Sequence, residues 1–177
     1  MVKTIANSNL GSIGTNEDPV PFTDAISKLK QRISEWWGRH WYNYTQIENK
    51  GSWYASLDVQ INSLPWFCKS KLYSHRKFFT TLFRLRFGHC RLNFHLYRLK
   101  IENSPYCNYC DTQESQNLHH IFFDCPSFGI QRLVLMDELL EIYGSRDLVP
   151  LCITDLLQNP ATYCCLYKFI VYTVKDI

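Results

Sequence analysis

The segment "PYCNYCDTQESQNLHHIFFDCP", residues 105–126, holds three cysteines and two adjacent histidines in a polar loop that becomes apolar toward its end. Four of these side chains have the spacing C-x2-C-x9-H-x4-C: Cys107, Cys110, His120 and Cys125. A tight turn can aim two cysteines of a C-x2-C pair at one ion, and a later histidine and cysteine complete a Cys3His tetrahedron, as in structural zinc sites. Soft thiolates favour zinc over the oxygen-preferring magnesium and calcium. We therefore predict one structural Zn2+ ion, with no coordination position left for water.

The choice of histidine depends on where the local helix ends. His119, five residues before the last cysteine, remains an alternative ligand to His120. On an unbroken α-helix, residues five apart point about 140° away from each other, so His120 and Cys125 share an ion only if the helix ends between them. Pro126 favours such an end, because the residue before a proline is pushed out of helical conformation. The alternative is that Cys125 is a plain core cysteine on an apolar stripe with Ile121.

Composition places the chain among folded proteins. Its 177 residues are 46% hydrophobic and 20% charged, which is ordinary for a globular domain. The segment "MVKTIANSNLGSIG" lacks the apolar core of a signal peptide, and "YCCLYKFIVYTV" is too short to span a bilayer. We therefore expect an intracellular protein, nuclear or cytoplasmic, that does not contact membranes. Its eight cysteines are expected to stay reduced and to bind metal before they form disulfides.

Charge is distributed unevenly along the chain. Residues 69–100 contain no Asp or Glu and nine basic side chains: Lys69, Lys71, Arg76, Lys77, Arg84, Arg86, Arg91, Arg98 and Lys100. Residues 101–177 hold four basic and ten acidic side chains, a net charge of −6. A basic block interleaved with aromatic residues predicts phosphate contacts and base stacking. We assign nucleic-acid binding to Arg84, Arg86, His89, Arg91, Arg98 and Lys100. The alternative is that the arginines pair with the acidic helices that follow.

Apolar periodicity predicts a mostly α fold, a small helical domain with a zinc-stapled Cys-Cys-His-Cys loop. A loose arm is expected over residues 1–20, a helical basic region over 21–104, a zinc knuckle over 105–126 and C-terminal helices over 127–177.

Within the helical basic region, Thr23 is a candidate N-cap of a helix whose tryptophans are expected to pack in the core. Residues 52–67 alternate weakly and favour a short strand pair or irregular structure. Two basic helices are expected to join at Gly88. After the knuckle, a helix is expected to end at Gly144 and to bury one apolar face, made of Ile130, Leu133, Met136, Leu140 and Tyr143.

These residues resemble a known family. The stretch "FRLRFGHCRLNFHLYRLKIENSPYCNYCDTQESQNLHHIFFDCPSF" is similar to the carboxy-terminal zinc-knuckle region of LINE-type (non-LTR, jockey-like) retrotransposon reverse transcriptase polyproteins. The family pattern joins R-L-R-x-G-H, a leucine/arginine helix, S-P-x-C-x2-C and H-x4-C-P. Asp111 stands where the family often has Gly, and His119 where it often has Glu; neither change removes a predicted ligand.

The resemblance implies a non-catalytic module that holds RNA or target DNA for a parent RNA-directed DNA polymerase. The segment "VKTIANSNL" resembles the end of an RNase H domain, but Lys3 stands where that family has its last catalytic carboxylate. No polymerase motif of paired aspartates occurs either, so we do not expect an enzyme. The alternative is a scaffold domain that docks on the RNase H or polymerase portion of the parent polyprotein.

Overall fold

The computed structural model describes residues 21–57, 65–69, 75–174 and 177. The predicted mostly α fold is confirmed, since every regular element in these ranges is helical. The helices are α1 (Phe22–Tyr42), α2 (Ser52–Leu57), α3 (Arg76–Phe87), α4 (Asn93–Arg98), α5 (Gly129–Tyr143), α6 (Ile153–Gln158) and α7 (Tyr163–Thr173). None of the helices in the described ranges is both long and apolar enough to cross a bilayer. The predicted arm over residues 1–20, with Lys3, and the basic residue Lys71 lie outside the described residues.

The chain divides into two compact units, Met1–His40 and Trp41–Ile177, and the division falls inside α1. No side chain of α1 is buried. Trp36 and Trp37 are 55% and 48% exposed, so the expectation that these tryptophans pack in a core is wrong. The helix begins at Phe22, which places Thr23 inside its first turn and not at the N-cap.

The core of the second unit lies among the helices that follow α1. Helix α5 packs against α7, and α3 packs against α2, α6 and α7. Several of these helices contribute fully buried aliphatic side chains to the core: Leu82, Leu85, Leu139, Leu156, Leu157, Leu166 and Ile170. The ring of Phe122 stacks on Phe169 of α7 with centroids 4.7 Å apart. This contact attaches the cysteine-rich loop to the helical core.

Helix α5 buries only part of the predicted face: Met136, Leu140 and Tyr143 pack against the core as expected, but two of the five residues do not. Ile130 and Leu133 are 78% and 67% exposed, whereas Leu135 and Leu139 are buried. Apolar residues occur on more than one face of this helix, so periodicity alone allowed two orientations. Packing against α7 selects the face that carries Leu135 and Leu139. Gly144 does end the helix as predicted, with a φ of +77°.

The predicted junction at Gly88 is confirmed between α3 and α4. Gly88 has a φ of +67°, and its N–H donates to the Leu85 carbonyl at 3.2 Å. A Cβ at this position would lie 3.0 Å from the indole of Trp53. That indole donates its Nε1–H to the same Leu85 carbonyl at 3.1 Å. Trp53 belongs to α2, so residues 52–57 form a short helix, and the expectation of a strand pair or irregular structure is wrong for them. Residues 58–64 of that segment lie outside the described residues.

Candidate metal centre

A short hairpin presents the first cysteine of the loop. An isolated antiparallel bridge joins Tyr106 to Ser115, and the Cys107 N–H donates to the Glu114 carbonyl at 2.8 Å. The backbone N–H of Tyr109 points at Cys107 Sγ from 3.5 Å. The hairpin therefore positions this sulfur at the start of the loop.

The second half of the loop is a π-helical turn, His120–Asp124, that ends at Cys125. The Cys125 N–H donates to the His120 carbonyl, five residues back, at 2.7 Å. Because a π turn contains more residues than the 3.6 of an α-helix, the residue five positions later returns closer to the same face. The backbone of Cys125 is non-helical, with φ −58° and ψ 117°, and Pro126 begins the next turn. The turn thus removes the geometric obstacle between His120 and Cys125.

Arg132 of α5 stabilises the end of this turn. Its Nε donates to the Phe122 carbonyl at 2.9 Å, and its Nη2 donates to the Cys125 carbonyl at 2.7 Å. The last carbonyls of a helix have no partner within the helix. The guanidinium pairs the Phe122 carbonyl and gives a second donor to the Cys125 carbonyl, which also accepts the Phe128 N–H at 3.2 Å. The sequence does not predict this role of Arg132, because the contact depends on how α5 packs over the loop.

The four predicted ligand atoms lie together. The sulfurs of Cys107, Cys110 and Cys125 and an imidazole nitrogen of His120 are all within 4.8 Å of one another. Cys107 Sγ is 3.9 Å from Cys125 Sγ, and Cys110 Sγ is 3.3 Å from His120 Nε2. A tetrahedral ion with bonds of ~2.3 Å to sulfur and ~2.0 Å to nitrogen would place such pairs ~3.8 Å and ~3.5 Å apart. This Cys3His group can therefore bind one metal ion.

The imidazole of His120 is directed toward the thiols. The residue is buried, and Nδ1 has no hydrogen-bond partner among the described residues. Nε2 faces the Cys110 sulfur, while the backbone N–H of His120 donates to Asn117 Oδ1 at 2.9 Å. Buried polar groups nearly always have a partner, and the imidazole of His120 contacts a sulfur of the cluster through its Nε2 atom. That placement suits a metal ligand.

His119, the alternative ligand, points elsewhere. Its side chain is 59% exposed, and Nε2 lies 3.5 Å from Asp124 Oδ2. Its ring packs at a tilt on Phe123, with centroids 5.1 Å apart. The structure therefore brings His120 and not His119 to the cysteines. Cys125 is fully buried, as the core-cysteine alternative required, but its sulfur also belongs to the cluster.

The local environment shifts the pKa values of two of these thiols in opposite directions. Hydrogen bonds from the hydroxyl and backbone of Thr112 lower the pKa of Cys110 to about 6. Burial raises the pKa of Cys125 to about 11. A bound cation deprotonates coordinating thiols outright, so an ion would be needed to bring Cys125 to the thiolate form near neutral pH. The surroundings of Cys110 thus favour the thiolate that binds metals, whereas the Cys125 thiol must release its proton before it binds an ion.

Gln116 links the cysteine-rich loop to α4. Its Oε1 accepts the Asn93 N–H at 2.8 Å, and its carbonyl accepts the Phe94 N–H at 3.3 Å. Its Nε2 donates to Asn108 Oδ1 at 2.6 Å and lies 3.9 Å from Cys107 Sγ. The first N–H groups of a helix lack partners within the helix, and here the loop supplies them. A six-residue helix is not stable alone, so α4 depends on these contacts.

Two of the arginines assigned to nucleic-acid binding serve the protein interior. Arg86 is 3% exposed, and its Nη1 donates to the Leu157 carbonyl at 2.8 Å and to the Tyr163 hydroxyl at 2.9 Å. Its guanidinium also lies 4.9 Å from the ring centroid of Trp66. Arg84 is half-buried and donates to the carbonyl of Ile177. A phosphate cannot reach Arg86 in this arrangement, so Arg86 is not part of an exposed basic surface.

The other four assigned residues are exposed: His89, Arg91, Arg98 and Lys100. Within the described ranges, none of them takes part in an ion pair, and the acidic helix α5 pairs its Glu138 with Lys168 at 2.6 Å. The alternative in which these cations are neutralised by the acidic C-terminal helices therefore has no contact to support it among the described residues. We call the exposed cations Arg91, Arg98 and Lys100 the basic ridge.

An open groove of about 640 Å³ lies beside α4. Its walls include Trp53, Tyr54, Phe87, Phe94, His95 and Arg98, together with residues 116–119 of the loop. Phe87 and Phe94 are among the aromatic residues that interleave with the basic block of residues 69–100, but the sequence does not predict the groove. No local signal marks it, because segments far apart in sequence line it.

Comparisons of the chain with family models, with curated proteins and with solved structures give no match.

Proposed function

We propose that this chain is a non-catalytic nucleic-acid-binding module in which one structural zinc ion fixes the position of a basic helix. The observation that carries the proposal is the bridge made by Gln116, which joins the Cys3His loop to the first turn of α4. Helix α4 and the turns around it carry the basic ridge. An ion that stiffens the loop would therefore stiffen the surface that contacts phosphates.

The chemistry of the donor set favours zinc. Three thiolates and one imidazole suit a borderline-soft ion with no demand for octahedral geometry. Four protein ligands fill a tetrahedron, so the ion would have no open position for water and no catalytic role. Apparent binding energies at such sites are on the order of 10–16 kcal/mol near neutral pH, which is comparable with the stability of a whole domain. Thiolate ligands also fit a reducing compartment, the nucleus or the cytoplasm.

The exposed cations support nucleic acid as the partner. Arg91, Arg98 and Lys100 lie in a segment without acidic residues, and none of the described residues that line the neighbouring groove is acidic. The resemblance to the zinc-knuckle region of LINE-type reverse transcriptase polyproteins suggests RNA or target DNA, held for the parent polymerase. Counterion release from phosphates would then supply much of the binding free energy.

The test is the salt dependence of oligonucleotide binding, followed by fluorescence anisotropy between ~50 mM and ~200 mM salt. We expect the joint variant Arg91→Gln, Arg98→Gln and Lys100→Gln to weaken binding and to make the log–log salt slope shallower by about 2 for a single strand. The matched control is Lys28→Gln, Lys30→Gln and Arg32→Gln, which changes the net charge equally on the exposed surface of α1. Equal effects of the two joint variants, or binding that does not change with salt, would overturn the proposal.

The exposed apolar stripe of α1 favours a second candidate function, docking on another protein. Leu29, Ile33 and Trp36 are 58%, 56% and 55% exposed and recur at intervals of three and four residues along one helix face. Amphipathic helices commonly insert such a face into a groove of a partner. The partner would be the RNase H or polymerase portion of a parent polyprotein. Ile33→Ala with Trp36→Ala should then abolish capture of those purified portions while oligonucleotide binding is unchanged.

A further inference from the structure

We infer that the groove beside α4 receives the unpaired bases of a single strand while the basic ridge contacts its phosphates. This inference rests on the proposed function and narrows its ligand to single-stranded nucleic acid. The groove volume of about 640 Å³ lies within the range of small-ligand sites, roughly 300–1,000 Å³. It is therefore large enough for a planar base with its sugar.

Phe94 offers the groove an open aromatic surface. Its side chain is 38% exposed, and among the described residues its ring stacks on no other ring. By contrast, Tyr54 and Phe87 already stack on each other with centroids 5.1 Å apart and form a fixed apolar wall. Every base has a flat π face, so stacking on such a ring tolerates any sequence. Phe94 is thus the residue against which we place a base.

The cysteine-rich loop positions the backbone that carries the Phe94 ring. The backbone N–H of Phe94 donates to the Gln116 carbonyl, and Gln116, Asn117 and Leu118 line the same groove. The loop therefore fixes both the stacking residue and part of the surface around it.

Cationic side chains around the groove would contact the phosphates of a single-stranded nucleic acid. Arg98 lines it, Arg91 and Lys100 are exposed nearby in sequence, and His89 and His95 stack on each other within its wall at 5.2 Å. A phosphate backbone can follow these cations while its bases turn into the groove. The paired bases of a duplex expose only their edges and cannot enter, so an intact duplex would contact the basic ridge alone.

The test compares three oligonucleotides of equal length with the unmodified chain: a pyrimidine single strand, the same strand with abasic sites, and a duplex. All three carry phosphates, but only the first offers unpaired bases. We expect the intact single strand to bind at least about fivefold more tightly than the abasic strand. Equal affinities for those two strands, with binding that still weakens in salt, would overturn this inference and leave the proposed function standing. Absence of salt-dependent binding to every oligonucleotide would overturn both.

A matched pair of variants on α4 locates the effect. Phe94→Leu should remove the preference for the intact strand, whereas Tyr97→Leu should change its affinity by less than about twofold. Tyr97 is 48% exposed on the same short helix but does not line the groove. Equal losses from both substitutions, or a preference that survives Phe94→Leu, would refute the assignment of the base to Phe94.

Discussion

Arg86 and Arg98 belong to the same basic block but are placed in opposite surroundings. Arg86 lies between aromatic rings and donates to the Leu157 carbonyl and the Tyr163 hydroxyl, whereas Arg98 is exposed beside the groove. Nothing in the local sequence distinguishes the two, since both lie in acid-free helical segments. Their roles follow from tertiary packing.

Alanine substitution should separate these two arginines. We expect Arg86→Ala to destabilise the fold by about 2–4 kcal/mol, because it leaves a cavity and removes two hydrogen bonds to a charged group. Arg98→Ala should change the free energy of unfolding by no more than about 0.5 kcal/mol. Urea unfolding measures both values. Similar stabilities for the two variants would contradict the buried placement of Arg86.

The adjacent histidines of the loop allow a similar comparison. His120 Nε2 faces the Cys110 sulfur, and His119 pairs with Asp124 at the surface. We expect His120→Ala to lose its bound metal during dialysis and His119→Ala to retain about one ion per chain, because only the former removes a ligand of the four. Elemental analysis of the purified variants checks this, and metal loss from His119→Ala alone would reverse the assignment.

Among the features of the secondary-structure elements, the sequence predicts best those that depend on residues close together in the chain. The ligand spacing, the helix stop at Gly144 and the junction at Gly88 follow from short-range rules, and the structure agrees with each. The sequence did not predict the π turn or the burial of Leu135 and Leu139 in α5. Arg132 of α5 donates to two carbonyls at the end of the π turn, and the buried face of α5 packs against α7. Both contacts arise from tertiary packing, which periodicity does not encode.

Gly88 connects α3 to α4 under two constraints. It adopts a φ of +67°, and its α-carbon lies against the Trp53 indole. We expect Gly88→Ala to destabilise the fold by about 1–3 kcal/mol, since a left-handed backbone and a crowded Cβ are both unfavourable for alanine. Gly129→Ala is the control: it lies in α5 with helical φ, and no atom lies within 4 Å of the added Cβ. Thermal unfolding should show it neutral or slightly more stable.

The link from the loop to α4 is open to a direct test. Gln116→Ala removes the side-chain acceptor of the Asn93 N–H and the donor near Cys107 Sγ. We expect amide hydrogen exchange in α4 to accelerate by at least about tenfold, because a six-residue helix has little stability of its own. Amides of α7 serve as the internal control and should keep their protection. Unchanged exchange in α4 would show that the helix does not depend on this contact.

In the molecule as a whole, one cation would join three segments of the chain at a single point. The Cys3His group gathers a hairpin, a π turn and the approach to α5. The same loop packs on the core through Phe122 and holds α4 through Gln116. Removal of the ion is therefore expected to affect the groove and the basic ridge together.

Protons should compete with the metal in a predictable direction. Burial raises the pKa of the Cys125 thiol to about 11, so near neutral pH this thiol must release its proton before it binds an ion. The metal-bound form requires the thiolate, and the stabilisation that the ion gives is therefore present at higher pH and lost as the pH falls. We expect the affinity for Zn2+ to fall at least about tenfold per pH unit between pH 8 and pH 6.

Competition with a chelator at fixed total Zn2+ measures this dependence. Cys152→Ser is the matched control, because Cys152 is an exposed free thiol outside the cluster and its loss should leave the pH profile unchanged. Cys125→Ser should lower the affinity at every pH and make the profile shallower, since one fewer proton is displaced. A profile that is flat in the unmodified chain would mean that Cys125 is not a ligand, and the His120–Asp124 turn would then bring a sulfur to the cluster without binding an ion there.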